Sequence, residues 1–80
     1  MYLINGIEVS KDNFNTPIES LSFWRGVGIF EAIRIHNGFL FALDRHLKRF
    51  ERSANKMLFK NIDFNSIKKD LIKLASNFTE

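Results

Sequence analysis

Cysteine is absent from the 80 residues, which excludes a disulfide frame and a thiolate metal site and suits a reducing cytoplasm. Histidine is scarce, with two residues, so a protein-built metal site would have to rest on carboxylates, and no such cluster is visible. No apolar run approaches the length that crosses a bilayer, and the start lacks the charged-then-apolar order of a signal peptide. Proline occurs once, as Pro17, and no linker, repeat or low-complexity tract breaks the chain. Charge of one sign is not abundant either. A net charge of +3 permits anionic partners without demanding one. What is present in excess is phenylalanine: nine residues in 80, within a hydrophobic share of 45%. A chain of this length forms one domain and buries only about 60–65% of its unfolded surface. It cannot cover that much aromatic area on all sides, so part of it is expected to meet another domain or subunit.

Two Asn-Gly pairs organise the first half. Asn5-Gly6 lies between Tyr2-Leu3-Ile4 and Ile7-Glu8-Val9, and Asn37-Gly38 lies between a β-branched run ending at Ile35 and Phe39-Leu40-Phe41-Ala42-Leu43. Both pairs suit the positive φ angles of a tight type I′ turn, so two hairpins are expected, with residues 29–35 as a strand. Residues 10–22 read as a loop. In the second half, Asp44 is a candidate N-cap for a helix whose Leu47, Phe50, Ala54 and Met57 or Leu58 form one stripe. Asp63 or Asn65 is a candidate cap for a second helix carrying Ile67, Leu71, Leu74 and Phe78 on one face. Strands first and two amphipathic helices after make an α+β domain spanning residues 1–80.

Two constellations can carry chemistry. On strand 29–35, Phe30, Ala32 and Arg34 share one face, while Ile29, Glu31, Ile33 and Ile35 share the other. Arg34 can hold a carboxylate at a pocket wall through its planar donor fork, or it can simply face solvent on a half-exposed sheet. Glu31, among isoleucines, needs a partner or an edge. At the start of the first long helix, His46 and Arg49 stand three apart and share a face. Free amides, a partial positive charge and a guanidinium there favour a phosphate, though an exposed polar face is the plainer alternative.

The run Gly26-Val27-Gly28-Ile29-Phe30-Glu31-Ala32-Ile33-Arg34, then Asn37-Gly38, then His46-Leu47-Lys48-Arg49-Phe50 and Ser53-Ala54 resembles the N-terminal signature of the class IV pyridoxal-phosphate-dependent aminotransferases. That group includes branched-chain and D-amino-acid aminotransferases and aminodeoxychorismate lyases. Its pattern runs roughly G-D-G-V-F-E-x-x-R, an N-G turn, then H-L-x-R-L-x-x-S-A. The resemblance implies that residues 1–80 form the small N-terminal domain of such an enzyme, incomplete at its end. It implies that Arg49 grips the cofactor phosphate and that Phe30, Ala32 and Arg34 line the substrate side of the pocket. It implies for His46 a supporting place rather than a proton-transfer role. This chain departs from the pattern at Ser20-Leu21-Ser22, where many relatives carry D-R-G, and at Arg25, Val27 and Phe50.

The resemblance also implies what this chain does not supply. The Schiff-base lysine of the family belongs to a larger C-terminal domain, and none of the seven lysines here stands in a matching context. No catalytic residue is therefore assigned, and the chain is expected to be inactive alone and to bind no pyridoxal phosphate by itself. The intact enzyme would move an amino group between an amino acid and a keto acid, or act as a lyase. The expected partners are the C-terminal domain or a second copy, with no membrane. Two alternatives remain: a stand-alone dimerising module with this fold, and, ranked last, a small nucleic-acid-binding domain built on the basic residues of 44–73.

Overall fold

The computed structural model describes residues 1–78. Both Asn-Gly pairs form the expected turns. Asn5 and Gly6 take φ of 52° and 80°, and Asn37 and Gly38 take 48° and 82°, the two consecutive left-handed residues that a type I′ turn requires. Strand β1 (Tyr2–Ile4) therefore pairs antiparallel with β2 (Ile7–Val9), in the register Tyr2↔Val9 and Ile4↔Ile7. Strand β3 (Ile35–His36) pairs antiparallel with β4 (Phe39–Leu40), Ile35 opposite Leu40. The two hairpins are separate two-stranded sheets.

The strand expected over 29–35 is shorter than its pattern. Residues 27–36 alternate strictly between half-buried and exposed, as a strand lying on a core would. Yet the ladder begins only at Ile35, extended by one bond from the Phe41 amide to the Arg34 carbonyl at 2.9 Å. Residues 29–33 make no backbone hydrogen bond among the described residues. Side-chain alternation follows from sequence, but a ladder needs a neighbour, and none of the described segments lies alongside.

The expected loop over 10–22 is partly helical. A single 3-10 turn covers Lys11–Asn13, and a short helix α1 (Leu21–Arg25) ends on Gly26 at φ 64°. Glycine takes that conformation without the strain that a side chain would add. Leu21, Phe23 and Trp24 on α1 are all exposed.

Helix α2 (Leu43–Lys56) begins one residue before the expected cap: Ala42, itself left-handed, occupies the N-cap position without a side-chain bond. Asp44 lies in the first turn and meets Lys68 at 3.1 Å. Helix α3 (Phe64–Ala75) is capped as expected by Asp63, whose Oδ1 accepts from the Ser66 amide at 3.0 Å. The α2 stripe works as far as Ala54. Met57 and Leu58 lie past the helix end and are exposed, as is Phe78 past α3.

Among the described residues Ala54 and Ala75 are the fully buried ones, where small side chains let neighbouring backbones approach. Phe50 and Phe64 close the α2–α3 seam edge to face, 6.3 Å between centroids. The hairpin turns rest on α3: a side chain at Gly6 would meet the Asp70 carboxylate, and one at Gly38 would meet the carbonyls of Ala75 and Phe78. The result is a flat α+β body, 37 × 31 × 18 Å. Its inner strand face (Ile33, Glu31) packs toward Leu47 and Phe50 of α2 and Ile67 and Leu71 of α3, around a space of about 150 Å³. No helix among the described residues is long and apolar enough to cross a membrane.

Candidate functional site

The first three turns of α2 carry a one-sided charge distribution. Arg45, Arg49 and Arg52 are spaced i, i+4, i+7, so they rise along one face. With His46, Lys48, Phe41 and Ala42 they line an open depression of about 470 Å³. Among the described residues no carboxylate lines it. Cationic donors gathered beside a helix start suit an anion such as a phosphate monoester. Among the described residues no group of His, Asp and Glu has metal-ligand geometry.

Beneath the guanidinium of Arg49 lies Glu31. Its Oε2 accepts from Arg49 Nε at 2.8 Å, and its Oε1 accepts from Arg49 Nη2 at 2.7 Å, a two-bond side-on pair. His46 Nδ1 approaches the same Oε1 at 2.7 Å. The Glu31 side chain is 12% exposed, since strand alternation turns it inward among isoleucines, at the mouth of the apolar space. The hydrogen bond from Arg49, then that from His46, hold its carboxyl at about 2, against an ordinary 4.5. Arg49 is reciprocally raised by Glu31.

The residues singled out in the sequence fall into two groups. Arg49 and His46 meet at the depression. Phe30, Ala32 and Arg34 lie together on the outer strand face, all exposed, Phe30 at 88%. Arg34 shares a smaller hollow with His36 and Phe41. Phe41 lines both this hollow and the depression of Arg49, so the two groups adjoin through one aromatic ring; Phe30 and Ala32 line neither. Sequence reasoning left out Arg45, Arg52 and Phe41. The i, i+4, i+7 spacing of the arginines carried that signal, while Phe41 needed the hairpin register. A larger depression of about 670 Å³, between the first hairpin and α3, contains none of these residues.

Curated proteins similar to this chain include D-amino-acid aminotransferases. The chain is 34% identical over 77 residues to the D-alanine aminotransferase of Staphylococcus aureus (strain N315), covering 96% of this chain and 26% of that protein. It is 33% identical over 76 residues to the D-alanine aminotransferase of Bacillus licheniformis, covering 90% and 27%. It is 33% identical over 75 residues to the chloroplastic D-amino-acid transaminase of Arabidopsis thaliana, covering 92% and 20%. The chain thus spans about a quarter of the length of the curated relatives it matches. No solved structure matches it. Residues 28–80 match the family model described as amino-transferase class IV, and the chain belongs to that pyridoxal-phosphate-dependent family.

Proposed function

We propose that this chain supplies one wall of the active site of an aminotransferase that moves an amino group between an amino acid and a keto acid. Arg49 is the phosphate ligand of its pyridoxal phosphate. The observation that carries the proposal is the depression at the start of α2, where Arg45, His46, Lys48, Arg49 and Arg52 converge with no acidic side chain of the described residues on the wall. The donor set fits a phosphate monoester, because guanidinium binds it through paired hydrogen bonds and the helix start adds a favourable field. When bound, the cofactor supplies the electron sink that lets a proton leave the amino-acid α-carbon.

The chain's own part is binding and orientation. Arg49 anchors the phosphate end, Phe41 separates that anchor from the outer strand face, and Arg34 offers a donor fork to a substrate carboxylate. Phe30 and Ala32 extend the same face and give it an apolar floor. None of the seven lysines is assigned the imine-forming role, and the chain alone is inactive in this reading. The relatives are D-alanine and D-amino-acid transaminases, which makes D-alanine the first amino donor to test. A second copy or a further domain covers the aromatic outer face.

The test uses pyridoxine 5′-phosphate, which lacks the aldehyde and so cannot condense with surface lysines. In large excess over isotopically labelled chain, where the phosphate end alone makes a weak contact that does not retain the cofactor, it should shift the resonances of Arg49, Lys48, Arg52 and Ala42. Arg49→Ala should weaken that binding by about tenfold, the loss of one charge-assisted pair, while Arg25→Ala leaves it unchanged. Shifts spread over the lysines of α3, or equal effects of the two substitutions, would defeat the assignment.

A further inference from the structure

Glu31 is the acidic residue that reaches the functional face from the inside of the fold, and its bonding is unusually complete. Its two oxygens take three donors: Arg49 Nε, Arg49 Nη2 and His46 Nδ1. The pairing is side-on, using the Nε–Nη2 edge of the guanidinium. Arg49 Nη1 has no hydrogen bond among the described residues, and the Arg49 side chain remains 59% exposed on the depression wall. An arginine has five donor hydrogens in a rigid plane, so a carboxylate on one edge leaves the Nη1–Nη2 edge able to take an anion bidentately. The same carboxylate fixes the plane, which otherwise rotates freely about a long aliphatic stem.

We propose that Glu31 is a positioning residue for Arg49: held by His46 at the border of the apolar core, it grips the Nε–Nη2 edge and presents the Nη1–Nη2 edge to a phosphate in the depression. The proposal rests on the anion-site reading of Arg49 and adds a role for Glu31, which lines no part of that depression itself. His46 completes the clamp from the first turn of the same helix, one turn before Arg49. Pre-ordering the guanidinium spares the anion the entropy of doing so, and affinity rises accordingly.

Phosphate binding measured on the chain with labelled arginines tests this. Inorganic phosphate is titrated at pH 7 and constant ionic strength while the Nε–H resonances of the five arginines are followed. In the unsubstituted chain the Arg49 resonance should move and saturate. Glu31→Gln should lower phosphate affinity about fivefold, as expected for releasing one ordered side chain, and Glu31→Asp should restore part of it. Unchanged or tighter binding by Glu31→Gln would mean that Glu31 is idle or competes with the anion, and overturns the inference alone. An Arg49 resonance that ignores phosphate in the unsubstituted chain overturns the anion-site reading, and this inference with it. Should Glu31→Gln not fold, hydrogen exchange on the unsubstituted chain decides. Arg49 Nε–H should exchange with water about tenfold more slowly than Arg45 and Arg52 Nε–H, because only it is held in a bond; equal rates refute the clamp.

Discussion

Glu31 illustrates how one carboxylate is tied to both stability and site geometry. Its folded carboxyl sits at about 2 against 4.5 unfolded, lowered first by the Arg49 hydrogen bond. A depressed folded value means that the unfolded chain binds the proton more readily, so protonation favours unfolding. The stability that Glu31 contributes is therefore complete above about pH 4.5 and is lost as pH falls toward about 2. Thermal unfolding followed from pH 6 to pH 2 should show a fall in Tm across that window in the parent chain. In Glu31→Gln the fall should be smaller, from a lower starting point. Two parallel curves would indicate that the pair is present but contributes nothing to acid sensitivity. The Asp44–Lys68 pair differs in kind: Asp44 is 75% and Lys68 44% exposed, and pairs this open to solvent are worth little.

At the scale of elements, the end of α2 carries a local conflict. The Phe59 amide donates to the Ala54 carbonyl at 2.9 Å and the Leu58 amide to that of Asn55 at 3.1 Å, the two bonds of a Schellman closure. That closure requires a left-handed residue, and the position is filled by Leu58 at φ 59°, where glycine is the usual occupant. The leucine side chain is 78% exposed, so removing it forfeits little burial. Leu58→Gly should stabilise the fold by about 0.5–1 kcal/mol, relief of left-handed strain outweighing the added freedom of the unfolded chain. A rise in Tm of a few degrees is the expected readout; a fall would show that Leu58 packs against something in solution. The opposite experiment belongs to Ala54. It is fully buried within the α2 stripe, and Ala54→Leu should cost about 1–3 kcal/mol by overpacking, seen as a lower denaturation midpoint.

For the whole molecule, the balance of surface decides what the chain needs. A compact protein of 9.4 kDa would expose about 5000 Å² by the scaling of surface with mass, whereas this chain exposes 6902 Å². Its radius of gyration is 13.7 Å, against about 11.6 Å for a compact chain of this length. Its exposed apolar side chains include Phe30, Phe39 and Phe41 at 88%, 78% and 68%, and Phe23 and Trp24 of α1. The surplus of surface over a compact chain is larger than the roughly 800 Å² per partner that a stable interface buries. In light scattering, the mass of the 80-residue chain should rise with concentration. A hydrophobic dye should brighten in its presence, and Phe30→Ser with Phe39→Ser should reduce both effects. A clean monomer that leaves the dye dark would contradict the open face.

How much of this was legible beforehand follows from the range of the interactions. Both hairpin turns could be read from Asn-Gly alone, because positive φ at consecutive residues is a property of those two residues. The two-faced pattern of residues 29–35 and the stripe Leu47, Phe50, Ala54 were likewise legible, since periodicity needs only the geometry of the element itself. The family signature lay in the same local motifs, and residue types at short spacing were enough to suggest Arg49 and Arg34. Tertiary structure alone decided the rest. Glu31 and Arg49 are 18 positions apart, and nothing local says which cation an inward glutamate will meet. The start of α2 shifted to Leu43 because the chain leaves β4 through a left-handed Ala42, and Asp44 was then free to meet Lys68 on the other helix. The ladder over residues 29–33 is absent for the same reason: a strand's pattern belongs to one segment, but its hydrogen bonds belong to two.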